Sequence, residues 1–259
     1  MKLKNLFKVL GICFLLLLLS DAFARAGGGH GGGHATSHGG GSGHYGRNAN
    51  NPHGGIINNI YELIIITLTL VTIVIGGTIP ALLKLKSSFA ANILTHASNK
   101  DTLWDSNHLK THARRTFYKM QEAWQNRNIH FVKSLITPEL YEMYKTMLEE
   151  MEERGEKNML SRIDITETTI IGCEDFKDDS KDRYIAFIKG TMLDYVIHEP
   201  SKNILINPEK KIGTFSDTYH FVRINNHWIL EKIDNTVTVL DIIGIKNYTE
   251  NINLNEQSS

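Results

Sequence analysis

Five of the 12 histidines lie between Ala26 and Gly55, a stretch that also holds 13 of the 21 glycines. His30, His34 and His38 recur there at every fourth residue. Neutral imidazoles on so pliant a chain need only converge to hold Zn, Cu or Ni, so these three are the metal candidates. No Cys, Asp or Glu stands beside them to close a site, and a plain low-complexity tether is the competing reading. No bound cofactor is expected.

Asp194, Asp217 and His220 are the residues to suspect of acid/base chemistry. Strand alternation groups Asp194 with Ala186, Ile188 and Met192 on an inward side, but puts Asp217 and His220 on opposite faces. No nucleophile elbow, phosphate-binding glycine loop or zinc-helix motif accompanies them. The chain is therefore expected not to be an enzyme. Cys173 lies in an apolar run with no basic neighbour and reads as a buried, inert thiol. Glu142, Glu149, Glu150, Glu152 and Glu153 share the polar side of one helical stretch and read as a solvated face.

The elements that carry these residues are of several kinds. Residues 1–26 have the layout of a secretory signal: Lys2, Lys4 and Lys8, an apolar run from Val9 to Leu19, then Ala22-Phe23-Ala24. An uncleaved anchor helix is the alternative. Residues 27–59 form a Gly/His-rich spacer with too few apolar side chains to offset the entropy of ordering, and disorder is predicted. Within residues 60–83, the 21 residues from Leu63 to Leu83 carry no charge and predict one transmembrane helix.

Residues 84–106 read as a basic juxtamembrane linker with some helical tendency. From 84 to 115 there are six basic residues against two acidic ones. Positive charge flanking a span favours the cytoplasmic side, so the spacer is expected outside and the C-terminal region in the cytosol. Lys84, Lys86, Arg114 and Arg115 are the candidates for contact with anionic lipid headgroups. From 116 to 259 the balance is 17 basic against 24 acidic, which argues against nucleic acid as a partner.

The soluble part, residues 107–235, begins with a helical stripe of Leu109, Ala113, Phe117, Met120 and Trp124. Thr137-Pro138-Glu139 predicts a second helix start and Gly155 its stop. Strands are predicted at 162–173, 183–197, 203–207, 214–225 and 227–234, with Asn225-Asn226 as a two-residue hairpin turn. Helices followed by strands give an α+β fold with an antiparallel sheet. The tail, 236–259, reads as mostly disordered.

Phe117-Tyr-Lys-Met120-Gln-Glu-Ala-Trp124, Leu135-Ile-Thr-Pro138-Glu-Leu-Tyr141, Asp194-Tyr195, Phe215-Ser-Asp217-Thr-Tyr219-His-Phe221-Val-Arg223 and Trp228-Ile-Leu230 occur in that order. In order and spacing they resemble the Tim44-like family, over about residues 107–235. That family includes the C-terminal domain of the mitochondrial import-motor scaffold, a mitochondrial ribosomal protein and bacterial membrane proteins. Asp217 and Tyr219 stand where members more often show Glu and Trp, and bacterial spacers are more often rich in Gly, Ser and Arg than in His. The resemblance implies a cone similar to nuclear transport factor 2, a curved antiparallel sheet wrapped by helices around an apolar cavity. It also implies a non-enzymatic adaptor at a bacterial inner membrane, binding a protein partner, lipid or both, in protein transport or membrane-protein assembly. Trp124, Tyr195, Phe221 and Trp228 are the candidates for the cavity or its rim, with plain core packing as the alternative.

Overall fold

The computed structural model describes residues 54–250, with side chains from residue 77 onward and that of Ile65. It begins with one long helix, α1 (Gly54–Ala97), which continues through Pro80. The end of α1 is part of the folded core, since Ala90, Ile93, Leu94 and Ala97 are buried at helical spacing. A single 3-10 turn (Thr102–Trp104), capped by the Asp101 side chain, leads into α2 (Ser106–Gln125). Asp105 caps α2 by accepting from the His108 N–H, and Leu109, Ala113, Phe117, Met120 and Trp124 form its buried stripe as expected. A second 3-10 segment (Ile129–Leu135) precedes α3 (Pro138–Glu153). There the Thr137 hydroxyl accepts from the Leu140 N–H, and Pro138 occupies the first turn, where its missing N–H costs nothing. Gly155 (φ +67°) turns the chain out of α3 in a conformation that favours glycine.

Six strands follow: β1 (Glu156–Asp175), β2 (Arg183–His198), β3 (Ile204–Ile206), β4 (Ile212–Ile224), β5 (His227–Asp234) and β6 (Asn247–Thr249). The sheet order is β5-β4-β2-β1-β6, with β3 also paired to β2. All pairings are antiparallel except the parallel one between β1 and β6. Bulges in the β1–β2 pairing between Ser161 and Asp164, Ile165 and Glu167, and Ile170 and Gly172 add twist, and the sheet curls strongly. Gly190 of β2 sits where the first bulges press in. A Cβ there would meet the Asp164 carbonyl oxygen at 2.2 Å. Asn225 and Asn226 have φ of 48° and 59°, the pair of left-handed residues that a two-residue hairpin requires.

The result is α+β and cone-like. One face of the sheet, carrying Ile170, Ala186, Ile188, Tyr219 and Phe221, packs with α2, α3 and the end of α1 into the main core. The opposite face carries a smaller cluster of Ile171, Phe187 and Ile245, against which Leu83 of α1 packs.

Several expectations change. The linker 84–106 is helical up to Ala97 and belongs to the domain, because its apolar positions recur at helical spacing and are buried in the main core. The tail expected to be mostly disordered contains α4 (Val239–Gly244), started by a capping box of Thr238 and Asp241, and then β6. Ile242 and Ile245 are buried there, and Asn247 donates to the Ile171 carbonyl, which the Asn-rich composition conceals. The predicted signal (1–26) and most of the spacer (27–59) lie outside the described residues, with the spacer's last six residues opening α1. The predicted span is helical in backbone as part of α1, but most of its side chains also lie outside the described residues. Among the described residues no helix is long and apolar enough to cross a membrane.

Candidate ligand and partner site

Aromatic side chains from three strands and two helices meet beneath the β4–β5 hairpin. Tyr184 of β2 stacks on Phe221 of β4 at 4.4 Å and stands edge-on to Trp228 of β5 at 4.9 Å. The Trp228 indole N–H donates to the Leu103 carbonyl at 3.1 Å, and its ring meets Trp104 at 4.8 Å. The 3-10 turn after α1 is thereby fastened to the end of the sheet. On the α2 side, the His112 ring lies edge-on to Phe221 at 5.2 Å, with Nδ1 at 2.8 Å from the Tyr184 hydroxyl. Burial, followed by His108 and Arg115, lowers the His112 pKa to about 4. Burial also pushes the Tyr184 phenol well up, so it keeps its proton. An open cleft of about 510 Å³ lies between α2 and the hairpin beside this cluster, with His112 and Trp228 in its wall.

The four aromatic candidates do not share one pocket. Phe221 and Trp228 join through Tyr184 at the cleft. Trp124 is buried deeper, edge-on to Tyr144 at 5.6 Å. Tyr195, half-buried, sits where β2 leads toward β3, with the Lys210 ammonium 4.8 Å from its ring centroid. Trp124, Phe221 and Trp228 are only 3%, 1% and 4% exposed, so most of their surface is spent on packing.

The suspected acid/base groups are likewise dispersed. Asp194 is buried, as alternation predicted, and accepts from the Asn158 amide at 2.6 Å. Asp217 is buried in the core, where it and Asp234 add to the burial that raises the Tyr144 phenol. His220 faces the other way and pairs with Asp234 at 3.0 Å. No group of three or more His, Cys, Asp or Glu among the described residues could hold a metal ion. The metal candidates His30, His34 and His38 lie outside the described residues. Cys173 is fully buried, and burial pushes its thiol far up.

Of the four basic candidates, Lys84 and Arg115 are exposed and Arg114 is half-buried. Lys86 is committed to the fold: its ammonium donates to the carbonyls of Ile243 and Ile245 and closes the end of α4. A second cleft, of about 320 Å³, separates Ile79, Pro80 and Leu83 of α1 from Glu167, Phe187 and Lys189 of the sheet. The sheet therefore reaches back along α1 at least to Ile79.

One polar cluster escaped sequence reasoning. Arg223, 6% exposed, contacts Asp101 at 2.5 Å, Asp179 at 3.1 Å and Asp182 at 3.1 Å. An arginine amid the apolar run Tyr219 to Ile224 was the available signal, but its partners come from distant loops.

A family model described as "Tim44-like domain" matches residues 90–235. No curated protein matches the chain at a significant level. Among solved structures, the intermembrane-space region of the chloroplast protein ARC6 is similar at 11% identity and a TM-score of 0.36, covering 50% of this chain and 97% of that one. A de novo β-sheet design covers 50% of this chain and 88% of its own, at 7% identity and a TM-score of 0.28. A putative scytalone dehydratase from Novosphingobium aromaticivorans covers 50% and 85%, at 16% identity and a TM-score of 0.25.

Proposed function

The chain belongs to the Tim44-like domain family, and from that premise we propose that it is a non-enzymatic, membrane-tethered adaptor whose domain binds a protein partner at the bilayer. The carrying observation is the continuity of α1, which passes from the uncharged run after Glu62 into the buried positions Ala90 to Ala97 without a break. A domain on such a helix stands against the membrane instead of trailing on a flexible tether. The sheet lies alongside the helix from Ile79 onward, across the second cleft, so 16 uncharged residues, 63–78, precede it. They rise about 24 Å as a helix, short of a ~30 Å hydrocarbon core, so thinning of the bilayer or entry of flanking apolar residues would close the gap. Suitable residues are present: Leu85 and Phe89 on α1 and Leu240 and Ile243 on α4 are 50%, 51%, 79% and 54% exposed. Exposed Lys84, on the same helix as Leu85 and Phe89, suits anionic headgroups of a bacterial inner membrane, with the spacer outside and the domain cytosolic.

Chemical crosslinking of the tagged full-length protein in native membranes, followed by mass spectrometry of proteins and lipids, tests this reading. A specific protein crosslinked to the segment 90–235 is expected. Lipid retained without any protein would replace the adaptor with a lipid carrier. Full release of the chain from membranes by alkaline carbonate would remove the tether altogether.

A further inference from the structure

The cleft beneath the β4–β5 hairpin is lined by Arg115 and by three histidines, His108, His112 and His227. Residues 107–235 carry 19 basic and 21 acidic residues, yet no Asp or Glu lines this cleft. His108, His112 and Arg115 enter it from α2 at spacings of four and three, which is one face of a helix, and His227 enters from β5. Leu103, Leu135, Trp228 and Ile229 supply apolar wall. At about 510 Å³ the cleft has the size of a small-molecule site, with five apolar residues beside eight polar or charged ones in its lining.

The hydrogen bonding in the wall defines what His112 offers. In the tautomer that lets the buried Tyr184 hydroxyl donate to His112 Nδ1, the neutral imidazole carries its own proton on Nε2. In that form His112 is an N–H donor, while Arg115 supplies a permanent positive charge and a planar fork of donors.

We propose that this cleft binds a small apolar carboxylate, with Arg115 pairing the carboxylate, His112 donating to it, and the apolar body lying against Trp228 and Leu135. One guanidinium matches one carboxylate in charge and in geometry, whereas a phosphate dianion would keep uncompensated charge. The site goes beyond the adaptor reading, and neither depends on the other.

Calorimetry on the full chain in phosphatidylcholine nanodiscs tests the site, with 1-naphthylacetate as probe and the neutral 1-naphthylacetamide and the dianionic 1-naphthylmethylphosphonate as comparisons. Saturable binding of the acetate is expected, at least tenfold tighter than the amide and tighter than the phosphonate. Arg115→Gln is expected to weaken the acetate at least tenfold with an unchanged melting temperature. Ser134→Glu, at an exposed position in the same wall, places a carboxylate beside the ligand and is expected to abolish binding. No saturable acetate binding, equal affinity for acid and amide, or tighter phosphonate binding would overturn the proposal. So would acetate binding that survives in folded Arg115→Gln or Ser134→Glu protein.

Discussion

His112 shows how one side chain ties stability to pH. Its folded pKa of about 4 lies below the ordinary 6.5, so in the interval between them the unfolded chain binds the extra proton. The stabilisation is complete above pH 6.5 and is lost as pH falls toward 4, about 3 kcal/mol in all. Asp182 has the opposite sign. Burial raises its carboxyl to about 6, so its contribution is greatest when protonated and declines as pH rises through 6. Glutamine at position 112 can still accept from the Tyr184 hydroxyl but cannot charge. His112→Gln should therefore narrow its stability gap to wild type by about 2–3 kcal/mol between pH 7 and pH 4.5, read from urea midpoints. A gap that stays constant would show that His112 does not titrate as its surroundings require.

Arg223 acts at the level of elements, because the groups that surround it come from separate loops. Asp101 leads into the turn Thr102–Trp104, while Asp179 and Asp182 follow β1. Arg223→Met would leave Asp182, 1% exposed, with a carboxylate stripped of its cation, and should cost about 3–5 kcal/mol. Adding Asp182→Asn should restore part of that loss, and hydrogen exchange at residues 102–104 should accelerate in the single variant. A loss under 1 kcal/mol would show the cluster to be dispensable. The local rules were legible in the sequence wherever one short segment contains the whole cause. Thr137-Pro138 starts α3, and Asn225-Asn226 turns the hairpin. They failed where the cause is remote. Lys84 and Lys86 read as the flank of a span, although the helix beyond them is kept by burial of Ala90 to Ala97. Polar Glu156 to Ser161 joins β1 because β2 pairs with it, and α4 and β6 exist because α1 and β1 offer them a surface. The cleft was hidden for the same reason: Arg115 read as a contact for lipid headgroups, and only the folded hairpin brings His227 and Trp228 to it, His108 and His112.

At the scale of the molecule, the family match and the burial pattern start together. Residue 90 opens the matched segment, and Ala90 is the first described residue of α1 to be fully buried. α4 and β6 lie beyond the match, which ends at residue 235, yet they fasten the opposite face of the sheet to α1. On the proposed tethering, their most exposed apolar residue, Leu240, tests how the domain would meet the bilayer. A fluorophore on Leu240→Cys should be quenched by spin-labelled lipid several-fold more strongly than one on Glu149→Cys, an exposed site on α3. Equal quenching would place the two sites at the same depth and remove α4 from the membrane contact. The unbroken α1 also fixes an azimuth. Pro80 takes away one backbone hydrogen bond, but the helix runs on past it without a break. Each residue added before Ile79 would swing the domain by about 100° around the helix axis while lifting it only about 1.5 Å. On the proposed tethering, the length of that segment would act as a compass setting, deciding which side of the domain confronts a neighbour embedded in the same plane.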